Sequence, residues 1–127
     1  MYVTNIAQSN ALFELGFNPK LADFAYKASN NGTFSLRIVN DEEPLSIENN
    51  EIPAWSLEEL LFFLPRCITA NGKKYRLIIH RTRPDNLWCI KYTNGGTLIR
   101  FNHYVYLSNA AYTVVRYFLT DGKKYLE

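Results

Sequence analysis

Four side chains in this sequence could bind a soft metal or form a thiol–imidazole pair: Cys67, His80, Cys89 and His103. Adjacent strands could bring Cys67, His80 and Cys89 together. Small metal sites usually take two ligands from one turn, as Cys-x-x-Cys or His-x-x-x-His. Neither pair occurs. Without that spacing, the cysteines read as small buried hydrophobes and the histidines as ordinary ones. No Gly-x-Ser-x-Gly elbow or cysteine-protease signature marks a nucleophile. Gly95-Gly96 lies between strands and opens no helix, so it is a turn and not a phosphate cradle. The expectation is no catalytic residue, no metal ligand and no cofactor, and a protein that leans away from being an enzyme. Chemistry on an acidic loop is the enzymatic alternative.

Charge is strongly segregated. Asp41 to Glu59 holds seven acids and no Lys or Arg, while Arg66 to Arg100 holds eight bases against the single acid Asp85. The formal net charge of +2 conceals both blocks. The first expectation is that they lie side by side and neutralise each other, in weak exposed pairs of about 0–1 kcal/mol. The second is a bipolar surface that orients a charged partner. In the second case Lys73, Lys74, Arg76, Arg81, Arg83, Lys91 and Arg100 are the candidate nucleic-acid contacts. Tyr75, Trp88 and Tyr92 are interleaved with them, but at positions expected to face the core. Tyr104, Tyr106, Tyr112, Tyr117 and Tyr125 crowd the C-terminal quarter. Such amphipathic rings suit a protein interface, so a protein partner or self-association is the leading expectation.

The chain of 127 residues is expected to form one domain over 1–127. No run approaches the roughly 18 apolar residues of a membrane span. The N-terminus has no basic start followed by an apolar stretch. The expectations are therefore no membrane partner and a cytoplasmic location.

The elements that must position these groups are readable. Ile6 to Leu15 reads as a helix, with Asn5 as N-cap, Ile6, Leu12, Phe13 and Leu15 on one face, and Gly16 at the C-cap. Leu21 to Ala28 has helical apolar spacing and reads as a second short helix or an irregular packed segment. Thr33 to Val39 alternates as a strand. Residues 40–53 read as an acidic surface loop or exposed edge, flexible in part. Ser56 to Leu64 reads as a helix opened by a Ser56/Glu59 capping box, with Trp55 packed back on Leu60, and stopped by Pro65. Phe62 and Phe63 are expected to widen its apolar face. Strands follow at 67–70, 73–81, 87–92 and 97–101, the last running on towards Tyr106. Asn71-Gly72 and Asn94-Gly95-Gly96 mark turns between them. Ser108 or Asn109 caps a last helix over Ala110 to Thr120, ended by Asp121-Gly122. The fold class predicted is α+β: an antiparallel β-meander of about four strands with helices packed mainly on one face, a two-layer sandwich.

The run Ala54-Trp55-Ser56-Leu57-Glu58-Glu59-Leu60-Leu61, then Leu64-Pro65, Asn71-Gly72-Lys73, Trp88 and Gly95-Gly96, resembles a family of small proteins. These are encoded in phages and prophages of Bacteroides-type and other bacteria. Members show Pro-Thr-Leu-x-Glu-Leu-Leu-x-x-Leu-Pro, a Trp-containing strand and a C-terminal amphipathic helix. The likeness covers about Leu12 to Leu126. This chain has Ala54-Trp55-Ser56 where Pro-Thr is frequent, and Val114-Val115-Arg116-Tyr117 where a Trp-rich helix is common. The resemblance implies a phage or prophage setting and carries over no catalytic residue. The functional expectation is a non-enzymatic accessory protein acting by protein–protein contact, with weak nucleic-acid binding through 66–100 as the alternative.

Overall fold

The structure, a computed structural model, describes residues 2–126. It is α+β, with three α-helices and two antiparallel sheets of three and four strands. Within the expected domain, two compact units form, one through Leu61 and one from Phe62.

In the first unit, helix α1 (Ile6–Glu14) begins at Asn5 as the sequence predicts. The Asn5 side chain accepts from the Gln8 N–H at 2.8 Å, and Gln8 Oε1 accepts from the Asn5 N–H at 3.0 Å. These bonds satisfy two otherwise orphaned N–H groups. The chain leaves the helix through Gly16 at φ +88°, the left-handed turn that glycine tolerates. Of the expected apolar face, Leu12 is buried while Phe13 and Leu15 are exposed.

Strands β1 (Phe24–Ala28), β2 (Phe34–Ile38) and β3 (Ile52–Ala54) pair in the order β2-β1-β3. This corrects the helical or irregular reading of 21–28. Only Pro19–Leu21 turns, as one 3-10 turn, and Phe24 onwards is the central strand. Phe24 and Ala25 point to opposite faces and both are buried. A strand covered on both faces loses the period-two signal and reads as a helix. Residues 40–51 form no α-helix or strand and make one 3-10 turn at Ile47–Asn49; Glu51 is buried, and from Ile52 the chain is strand.

Trp55 is wholly buried against Phe17, with ring centroids 4.8 Å apart. Its indole N–H donates to the Asn18 carbonyl at 3.2 Å. Its backbone N–H donates to Thr4 Oγ1 at 3.1 Å, and its carbonyl accepts from the Thr4 N–H at 3.0 Å. The Thr4 carbonyl accepts from the Tyr26 hydroxyl at 2.8 Å. Helix α2 (Leu57–Phe63) follows, and half of the expected capping box is present. The Glu59 N–H donates to Ser56 Oγ at 3.3 Å. The Ser56 N–H donates instead to Asp23 Oδ1 at 2.9 Å, which frees the Glu59 side chain. Phe62, expected to widen the apolar face, is 84% exposed.

In the second unit, β4 (Cys67–Ala70), β5 (Lys73–Arg81), β6 (Trp88–Asn94) and β7 (Gly96–Tyr104) form a meander in sequence order. Asn71 and Gly72 take φ +53° and +74°, the positive angles a two-residue hairpin requires. Helix α3 (Leu107–Leu119) packs on β6 and β7. It starts earlier than predicted: Tyr106 is the N-cap and no side chain caps it, so Ser108 lies inside the helix. Ala110, Ala111, Val114, Val115 and Phe118 are fully buried. Tyr92 meets Phe118 edge-on at 5.6 Å, and its hydroxyl donates to the Pro65 carbonyl at 2.6 Å. Burial raises the Tyr92 hydroxyl pKa far above its ordinary value. After α3 the chain passes close under Tyr117 at Gly122, where a Cβ would overlap the ring.

Trp55→Ala removes a wholly buried ring, so stability should fall by about 3–5 kcal/mol. Urea unfolding followed by circular dichroism measures the change.

Candidate functional site

One side chain ties the 40–51 segment of the first unit to its sheet. Arg37 on β2 points to the sheet face shared with Ala25 and Pro53. Its Nε and Nη2 donate to Glu51 Oε2 and Oε1, both at 2.7 Å. Nη1 and Nη2 also donate to the carbonyls of Glu43 and Pro44, at 2.9 and 2.8 Å. Glu51 Oε1 takes the Ser46 N–H at 2.8 Å as well. Side-chain exposure is 22% for Arg37 and 4% for Glu51. A forked pair with further hydrogen bonds is the arrangement that offsets desolvation of two charges. The guanidinium holds the Glu51 carboxyl below the usual range; the Ser46 N–H helps, and burial opposes. The 40–51 segment is therefore clasped to the sheet.

Because Arg37 points to that face, Phe34, Leu36 and Ile38 point to the other. They are 44%, 40% and 66% exposed. β2 is also an edge strand. The Ser29 N–H donates to the Thr33 carbonyl, and the Val39 N–H to the Asp23 carbonyl. These bonds set the parity of the ladder: odd residues of β2 bond to β1, and the backbone groups of 34, 36 and 38 point outward. Sequence reasoning missed this site. The alternation of Phe34, Leu36 and Ile38 with Ser35 and Arg37 was the signal, but it does not say which side is covered.

Beside the clasp lies a cleft of about 660 Å³, lined by Lys20, Leu21, Asp23, Val39, Leu45 and Glu59 among others. Burial, and then the nearby carboxylates of Asp23 and Glu58, raise the Glu59 pKa.

In the second unit the register sorts the seven predicted bases. Ile90 and Tyr92 face α3, so Lys91 and Thr93 face away. Lys91 lies opposite both Ile78 and Arg100, Arg76 opposite Thr93 and Cys67, and Lys74 opposite Thr69. Lys74, Arg76, Lys91 and Arg100 thus share the face away from α3. Lys73 and Arg81 belong to the other face, and Arg83 sits in the turn with a cis bond to Pro84. Arg81 instead stacks on Trp88, 4.8 Å from the ring centre. The one ion pair among the described residues is Arg37–Glu51, so none of these bases has a carboxylate partner there.

The five tyrosines do not form one row. Tyr104 pairs across from Trp88, Tyr106 is exposed at the start of α3, and Tyr112 lies beside Arg116. Tyr117 packs on Phe101 and Phe118, and its pKa is raised by burial, then by Tyr125 and Asp121. Tyr125 lies beside Lys124. His80 faces Cys89, whereas Cys67 lies opposite Arg76, so the strands do not bring these three side chains to one point. Among the described residues no group of three or more His, Cys, Asp or Glu could hold a metal ion, and no helix is long and apolar enough to cross a membrane. The His80 Nε2 is buried without a hydrogen-bond partner among the described residues.

No family model, curated protein or solved structure matches this chain.

The clasp has a pH signature. A carboxyl with a depressed folded pKa adds stability above its unfolded value, near 4.5, and loses it as pH falls through the folded one. Glu51→Gln should cost about 2–3 kcal/mol at pH 7, at or below the low end for breaking a buried pair because Arg37 keeps some water. The deficit should narrow below about pH 4.5. Urea midpoints at pH 7 and in acid check both statements.

Proposed function

We propose that this is a non-enzymatic accessory protein of phage or prophage type, acting in the cytoplasm through protein–protein contact, with β2 as the contact. The carrying observation is an edge strand with three outward apolar side chains and outward backbone groups. Natural edge strands are usually blunted by lysine, proline or a bulge. β2 has none of these, and its one charge, Arg37, is already paired with Glu51. The resemblance of the Trp55–Pro65 run to phage and prophage proteins supports the setting.

The occupant that fits best is a second copy. Two β2 strands run antiparallel about a two-fold axis at Leu36 place Phe34 opposite Ile38 and Ser35 opposite Arg37. No like charges meet, and the outward N–H and C=O groups of 34, 36 and 38 find each other. The Ile38 carbonyl already accepts from Arg37 Nη1 at 3.2 Å and keeps a second lone pair. Such an interface is isologous, the commonest route to a dimer.

Light scattering at rising concentration should show the mass moving from monomer to dimer. Leu36→Lys should keep the monomer mass with an unchanged circular dichroism spectrum. A wild-type mass that stays monomeric at the highest soluble concentration would rule out the second copy.

A further inference from the structure

We propose a second site, independent of β2: the face of the meander turned away from α3, exposed at Lys74, Arg76 and Arg100 while Cys89 towards its other end is buried, binds the phosphate backbone of single-stranded nucleic acid through Lys74, Arg76, Lys91 and Arg100. Lys91 and Arg100 are direct cross-strand partners. Arg76 lies two pairs further along, diagonal to Lys91, and Lys74 follows two residues on, about 6.6–6.8 Å along the strand. Like charges placed opposite each other destabilise a sheet. Among the described residues no carboxylate forms an ion pair with these bases to offset that cost. The described acids of the second unit are Asp85, in a turn, and Asp121, after α3. Arg100 reaches only Thr97 Oγ1, at 3.4 Å. Lys74, Arg76 and Arg100 are exposed, and Lys91 is half-buried. The hydroxyls of Thr69, Thr93 and Thr97 stand among them. A polyanion removes the repulsion and supplies the missing partners.

Shape selects the ligand. Four strands span three inter-strand gaps, about 14 Å, wider than the roughly 12 Å major groove, so the sheet does not enter a duplex. A flexible single strand lies across it. The rings Tyr92 and Phe101 are turned to α3, so no base stacks on them from this face. Contact is therefore to phosphate, without sequence preference and steep in salt.

Four phosphate contacts on a single strand give a slope of about −3 in log K against log salt, from about −0.7 per contact. Anisotropy of fluorescein-labelled oligo-dT, titrated at several NaCl concentrations, should show that slope. Arg76→Gln with Lys91→Gln should halve it. A second readout uses the unaltered protein: Cys67 is exposed and faces Arg76 across the ladder, while Cys89 is buried. Bound oligo-dT should slow iodoacetamide alkylation of Cys67. A flat salt dependence, or Cys67 alkylated at the same rate with and without the strand, would overturn the proposal. Tighter binding of poly-glutamate than of oligo-dT would overturn it too, in favour of an acidic protein partner.

Discussion

The first unit depends on Arg37 having somewhere to put its charge. A guanidinium on a half-covered strand needs several acceptors, and Glu51 with the carbonyls of Glu43 and Pro44 provides them. That requirement folds an acidic, proline-bearing segment back onto the sheet and returns the chain in register for β3 to pair with β1. It also fixes which way β2 faces. With Arg37 and Ser35 committed to one side, strand alternation leaves Phe34, Leu36 and Ile38 no choice. The exposed apolar row is the geometric consequence of a buried ion pair.

The Trp55 junction performs the complementary task. Segments distant in sequence meet there through bonds between backbone and side-chain groups: Thr4, Asn18, Asp23 and the start of α2. Asp23 is central because it takes the Ser56 N–H. In an isolated helix that bond falls to the residue three positions in. Moving it to Asp23 ties the entry of β1 to the entry of α2. The released Glu59 carboxyl then lines the cleft, where burial and its acidic neighbours disfavour its charged form.

What the sequence made legible follows from which rules act locally. The meander was readable because each strand alternates and two of its three turns carry Asn-Gly or Gly-Gly, so period and punctuation agree there. The Asn5 cap was readable because Asn and Gln stand at the required offsets. β1 was not readable, since burial on both faces at Phe24 and Ala25 erases alternation where the strand begins. Neither was the true start of α3, because Ser108 looks like a cap yet Tyr106 holds that place without a side-chain bond. Of the seven bases, the sequence named all as one set of candidates. Only the register puts Lys74, Arg76, Lys91 and Arg100 on one face and moves Lys73, Arg81 and Arg83 off it.

The two proposed contacts use different physics on one chain. Pairing at β2 draws on backbone hydrogen bonds and apolar burial, with its single charge neutralised inside the unit. Binding on the meander face draws on unpaired cations and has no apolar or stacking component to fall back on. Salt screens exposed charges over a Debye length of about 8 Å at physiological ionic strength. It leaves apolar burial intact, and excluded salts strengthen it. Ionic strength therefore acts on one contact and spares the other. Segregating acids and bases along the chain makes that possible: a face dotted with both signs would satisfy itself, and the cations of β5, β6 and β7 would have no call on a partner.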